Sequence, residues 1–168
     1  MKQTLKYIYG IVYENMKYAE AKHSVVLTLS SAVIAFATTF LSANTRQNIF
    51  AIATIIFALI SVLYSFVALV SRNVKVNLKA RRKNSKSLIS YRNIIKFNPE
   101  TYIHDIKKEY GFTSVYKADN MDYHLAQEII LVAKLAHIKF LYFNFAVLFL
   151  IVSIICIIVS VLIRGGIW

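Results

Sequence analysis

The chain has one cysteine, one proline and four glycines in 168 residues, and its eight acidic residues are outnumbered by twenty Lys and Arg. A lone thiol, Cys156, excludes an internal disulfide framework and a thiolate metal cluster, and its place inside an apolar run reads as small-residue packing. No Gly/Ser linker and no internal repeat divides the chain, so a single domain accounts for its length. A nucleophile elbow, a P-loop, a Gly-rich dinucleotide loop and a zincin motif are all absent, so no enzymatic activity is expected. His124 and Glu128 are four residues apart, but no third ligand lies nearby in sequence, and no metal site is expected.

What the chain has in excess is apolar residue and positive charge, 58% hydrophobic content beside a formal net charge of +12. That combination is too apolar for an ordinary soluble domain and too charged for uniform burial in lipid, so the two must be segregated. Three runs free of Asp, Glu, Lys and Arg occupy residues 24–41, 49–70 and 140–163. Crossing a bilayer takes roughly 20 such residues at about 1.5 Å each, so all three are read as transmembrane helices. Thr28, Ser30, Ser31, Thr38 and Thr39 dilute the first. It follows an amphipathic opening over residues 1–23 whose Glu14 and Glu20 sit where a signal peptide carries its positive region, so no cleavage is expected.

Lys2, Lys6, Lys17 and Lys22 precede the first run, Arg46 alone lies in the connector LSANTRQN, and Arg164 alone follows the third run. Residues 71–139 hold fourteen Lys and Arg against six acids. By the positive-inside rule the amino terminus and residues 71–139 are cytoplasmic, with the connector and carboxyl terminus outside. Topology thus explains the net charge, and no nucleic-acid partner is expected.

Helical spacing continues beyond the membrane. Leu5, Ile8, Tyr9, Val12, Met16 and Ala19 make a stripe leading into the first span; Val74 and Leu78 extend the second as far as ARRKNSK. Leu125, Ile129, Val132, Ala133, Ala136 and Phe140 lead into the third, with Asp119 or Asn120 as cap. Between them, Asn98 as cap, Pro99 at the first helical position, Glu100 in the first turn and Gly111 as a stop bound a short helix with Tyr102, Ile103, Ile106 and Tyr110 on one side. LISYRNIIKF before it fits a short strand or a turn of helix equally well. The expected fold is all-α: an integral membrane protein whose three transmembrane helices continue into a cytoplasmic bundle with a small helical insertion.

Three segments, KYAEAKHSVVLTLSSAV, SYRNIIKFNPETYIHDIKKEYG and DYHLAQEIILVAKLAHIKFLYFN, resemble in order and spacing the transmembrane effectors of Pycsar anti-phage defence in bacteria, over nearly the whole chain. The resemblance implies a two-part system in the inner membrane. A partner pyrimidine cyclase makes cyclic CMP or cyclic UMP on infection, and the effector answers by impairing the membrane, an abortive infection in which the cell dies.

A cyclic nucleotide presents one phosphate charge and a flat base, so its receptor needs a basic group or exposed amides plus an aromatic or Arg plane. Arg81, Arg82, Tyr91, Arg92 and Lys96 supply both kinds, followed by Tyr102, His104 and Lys107; Lys22 and Lys134, with Glu20 and Gln127, stand on the adjoining helices. Basic residues beside a second span are also what topology and lipid head groups require by themselves. The familiar phosphate-binding cassette of cyclic-nucleotide receptors is absent, so ligand contact rests on the resemblance.

Ser24, Thr28, Ser31, Ala35, Thr38 and Ser42 recur at steps of four, three, four, three and four, one face of the first span. Small hydroxyl residues let helices approach closely and hydrogen-bond across the contact. The functional reading is that this face meets its copies in a homo-oligomer and lines a polar path. Against the ligand-gated effector stand a constitutive pore-forming toxin and a membrane scaffold that recruits a cytoplasmic partner or anionic lipid. Ligand dependence of toxicity separates the first two, and toxicity of any kind separates both from the third.

Overall fold

The computed structural model describes residues 1–41, 45–70, 87–112 and 117–164. Five helices follow in order: α1 Lys2–Thr38, α2 Thr45–Val70, α3 Tyr91–Ile94, α4 Pro99–Glu109 and α5 Asn120–Arg164. Among the described residues all regular structure is helical, and α1, α2 and α5 are long and apolar enough to cross a membrane. The protein is an all-α membrane protein. The stripe through Val74 and Leu78 lies outside the described residues.

The chain divides into two units, one comprising Met1–Ala19 and Arg72–Lys139, the other Glu20–Ser71 and Phe140–Trp168. The first, the head unit, is held by a core of its own. Leu5, Ile8 and Val12 of α1 meet Ile94, then Tyr102, Ile103 and Ile106 of α4, and Ala126, Ile129, Ile130, Val132 and Ala133 of α5. Each full burial of a Leu, Ile or Val is worth about 1.5–3 kcal/mol, so this cluster organises the unit. Tyr110, expected on the buried side of α4, is 41% exposed, because it is the helix's C-cap, past the last turn that packs.

The caps are those the residue types dictate. At the start of α4 the Asn98 N–H donates to Thr101 Oγ1 at 3.1 Å, that hydroxyl donates to the Asn98 carbonyl at 3.0 Å, and Pro99 opens the first turn. At its end Gly111 takes φ +67°, and the Phe112 N–H reaches back to the Lys107 carbonyl at 3.1 Å, a Schellman closure that a side chain at Gly111 would strain. At the start of α5, Asp119 is the cap: its Oδ1 accepts from the Asp122 N–H at 2.9 Å while Asp122 Oδ2 accepts from the Asp119 N–H at 3.2 Å. Lys2 Nζ lies 2.7 Å from Asp119 Oδ2, joining the beginnings of α1 and α5. The Lys2 hydrogen bond, first among its causes, holds the Asp119 carboxyl below the usual range. The ambiguous LISYRNIIKF resolves as the single helical turn of α3, closed by Ile95 N–H to the Tyr91 carbonyl.

The second, the membrane unit, packs α2 by a column of small residues. Ala51, Thr54, Ala58, Ser61, Ser65 and Ala68, at alternating steps of three and four, are all fully buried. Such a column lets helices approach closely where no hydrophobic effect drives them together. Its opposite face carries Ile49, Ile52, Ile56, Leu59, Leu63 and Phe66, exposed and bulky as a lipid-facing surface is. Tyr64 stacks on Phe145 and Phe149 with ring centroids 5.7 and 5.6 Å apart. At 45 residues α5 is about 68 Å long, more than twice a hydrocarbon core of about 30 Å, so only its apolar part from Phe140 onward crosses.

Candidate functional site

Among the described residues of the head unit, the expected ligand residues do not all gather in one place. Arg81 and Arg82 lie outside the described residues. Tyr102 is fully buried, its hydroxyl donating to the Leu88 carbonyl at 2.8 Å, and burial pushes the phenol's pKa up. As a wall of the core it offers no plane to a ligand, a role that a pattern of aromatics beside bases does not distinguish from a stacking platform. His104 is exposed on α4, 3.3 Å from Asp105 Oδ1, and Lys107 is half-buried on the same helix. Lys22 belongs to the membrane unit, where its Nζ lies 5.2 Å from the ring centroid of Phe143 and 5.7 Å from that of Phe140. This cation–π seat lets an apolar stem end in a satisfied charge.

Tyr91 and Arg92 do come together, with a residue the sequence reading passed over. The Arg92 guanidinium lies 5.9 Å from the Tyr91 ring centroid and its Nε donates to the Tyr91 hydroxyl at 3.3 Å. That phenol also meets the His137 imidazole of α5, ring centroids 6.4 Å apart at 44°. Burial, then the charge of Arg92, hold His137 below the ordinary histidine range. Lys134 stands half-buried one helical turn before His137, and the Lys96 Nζ lies 3.4 Å from Asn93 Oδ1. His137 carries no motif; the signal that finds it is its place three residues ahead of the apolar run, on a stretch of α5 that holds no acid after Glu128.

A second feature of the head unit is an open cleft of ≈ 430 Å3 between the start of α4 and the first turns of α5, lined by Asn98, Pro99, Glu100, Tyr123, His124 and Gln127. Its volume falls in the range of small-molecule sites. Its lining is an amide pair, an imidazole, a phenol and one carboxylate, chemistry suited to the edge of a base or sugar rather than to a phosphate. His124 and His137 are thirteen residues apart on one helix, about 20 Å, so no mononucleotide touches both. Among the described residues no group of three or more His, Cys, Asp or Glu is arranged to hold a metal.

In the membrane unit the hydroxyl face of α1 is not where the three helices meet. Ser24, Thr28, Ser31, Ala35 and Thr38 are exposed, and Ser42 lies outside the described residues. Each hydroxyl on that face donates to its own helix: Ser24 to the Glu20 carbonyl, Thr28 to Ser24, Ser31 to Leu27 and Thr38 to Ala35, at 2.7–3.2 Å. The contact inside the chain uses Ser30, one residue from the stripe and about 100° around the helix. It is fully buried, 3.1 Å from Ser61. The signal for this contact was the column from Ala51 to Ala68, as regular as the one on α1.

The family model of the Pycsar effector protein domain matches residues 4–165. No curated protein and no solved structure matches the chain.

Proposed function

This chain belongs to the Pycsar effector family, and we propose that it is an anti-phage effector that senses cyclic CMP or cyclic UMP and impairs the bacterial inner membrane, so that the infected cell dies. The amino terminus and residues 71–139 face the cytoplasm, where a partner pyrimidine cyclase would release the diffusible messenger. The observation that carries the mechanism is that α1 and α5 each run without a break from the head unit into the membrane unit. A ligand that binds two arrangements of the head unequally therefore biases two of the three membrane helices through their own backbones. Among the proposed ligand contacts in the head unit, Arg92 and His104 are exposed and Tyr91, Lys96, Lys107 and Lys134 are half-buried.

The outward hydroxyl face of α1 is the proposed contact with further copies. Where α2 presents Ile, Leu and Phe to its surroundings, α1 presents Ser24, Thr28, Ser31, Ala35 and Thr38, residues that let helices approach closely. In an oligomer this face would border the polar path through which the membrane leaks.

The test is dye release from liposomes holding the purified protein, with cyclic CMP, cyclic UMP, cyclic AMP or no nucleotide added. Release with a cyclic pyrimidine only is the expected result. Release without nucleotide would establish a constitutive pore-forming toxin, and silence under every condition a scaffold or a missing partner.

A further inference from the structure

Arg92 of α3 and His137 of α5 both lie against Tyr91, and no carboxylate stands beside them. Residues 87–97 contain no Asp or Glu, and neither does α5 beyond Glu128. Among the described residues, Arg92, Lys134 and His137 have no carboxylate within ion-pair distance; the ion pairs in the head unit join Lys2 to Asp119 and His104 to Asp105. The Arg92 charge opposes protonation of His137, and an anion bound beside both would lift that opposition. The geometry suits one anion type. The guanidinium spends its Nε on the Tyr91 hydroxyl, which fixes the plane and leaves the terminal amino groups of an exposed side chain as a fork. His137 is held toward the neutral form by burial and by Arg92, so it meets an incoming anion as a ring able to take up a proton. One turn further along α5 the apolar run begins at Phe140, so His137 stands about 5 Å along the helix from the start of that run.

We propose that Tyr91, Arg92 and His137 form a recognition site for a phosphodiester monoanion at the membrane boundary of the head unit. The terminal guanidinium nitrogens grip two non-bridging oxygens, and the His137 imidazole donates a third hydrogen bond. Two molecules offer that anion here, a cyclic pyrimidine nucleotide and the head group of an anionic phospholipid; the nucleotide source rests on the effector reading, the lipid source does not. At about 20 Å along α5 from the cleft at His124, the group is a site separate from that cleft.

The experiment follows the ring signals of His137 by NMR in full-length protein with labelled histidine, assigned by His137→Gln. One arm adds cyclic CMP or cyclic UMP to the protein in dodecyl maltoside micelles, which carry no phosphate; the other moves the protein into nanodiscs of phosphatidylglycerol and adds no nucleotide. Bound diester is expected to raise the His137 pKa by about one unit, and Arg92→Gln to abolish the rise. A rise in the first arm alone assigns the site to the nucleotide, and in the second alone to lipid. No rise in either arm, or a rise that survives Arg92→Gln, overturns the proposal. Nucleotide-triggered dye release with an unmoved His137 would remove this site and leave the effector reading standing. A lipid-driven rise in a protein that never leaks would do the reverse.

Discussion

The Ser30 hydroxyl donates to the Ser61 hydroxyl at 3.1 Å, and Ser61 donates in turn to the Ala146 carbonyl at 2.8 Å, so two hydrogen bonds tie α1, α2 and α5 together inside the membrane unit. In hydrocarbon the alternative to such a bond is a polar group with no water to turn to.

Ser61→Ala removes both bonds without changing the backbone spacing. Interhelical bonds of this kind measure about 0.6 kcal/mol on average and up to about 1.7, so a loss of about 1 kcal/mol is expected in reversible unfolding in bicelles. Ser61→Leu should cost more, about 2 kcal/mol or above, because the fully buried small column leaves no room for it. A leucine variant as stable as the alanine one would contradict close packing at that column.

Tyr102→Phe strands the Leu88 carbonyl in the head unit's core, and a loss of about 1–2 kcal/mol is expected. The buried phenol's pKa is raised, so the stability it contributes is complete below the unfolded tyrosine value of about 10 and fades as pH climbs above that value. The melting temperature of the wild type should therefore fall above about pH 10, more steeply than that of Tyr102→Phe. Parallel curves would show that the phenol is not buried in solution.

Lys2 and Asp119 tie α1 to the cap of α5, and the pairing holds the Asp119 carboxyl below its usual range. The sign follows: the contribution is present above the unfolded carboxylate value of about 4 and is lost as pH falls through the lower folded one. Protection of the amides at residues 120–123 against exchange, taken relative to the unstructured chain at the same pH, should fall in acid, and Lys2→Gln should lower it about twofold at neutral pH. Unchanged exchange in the variant would show that the pair does not hold the turn.

The outward face of α1 makes a prediction that the inward one does not. Ser31→Leu and Thr38→Leu point away from the chain's own helices and should leave its thermal stability within about 0.5 kcal/mol. If that face meets further copies, Ser31→Cys crosslinks them in membranes, and Thr38→Leu reduces the crosslinking and the dye release together. Crosslinking equal to that of a cysteine placed on the bulky face of α2 would remove the interface.

The spans, the caps and the head-unit core were legible because each rests on local chemistry. An unbroken apolar run has nowhere else to go than lipid; Asn98 and Pro99 start a helix, and Gly111 ends it, whatever surrounds them. Periodicity also marked Leu5, Ile8 and Val12 on one stripe and Ile129 and Ala133 on another, since a helix stripe of that spacing must be covered, and the two share one core.

The candidate site was less legible, for a physical reason. A sequence shows that a residue is aromatic or basic but not which side of a core it ends on, and so Tyr102 looked like a platform and proved to be a wall. α1 carries hydroxyls on more than one face, and their spacing is the same whether a face meets a helix of its own chain, a second copy or lipid. Only packing chose Ser30 over Ser31. The meeting of Tyr91 with His137 joins positions forty-six residues apart and depends on the turn of α3 against α5, which no local pattern specifies. By itself the sequence determined that this is a basic-headed, three-span helical membrane protein, because hydropathy, charge and capping act over a few residues at a time. The tertiary structure decided which polar groups face inward and which are left to meet something else, because that depends on how helices distant in sequence pack.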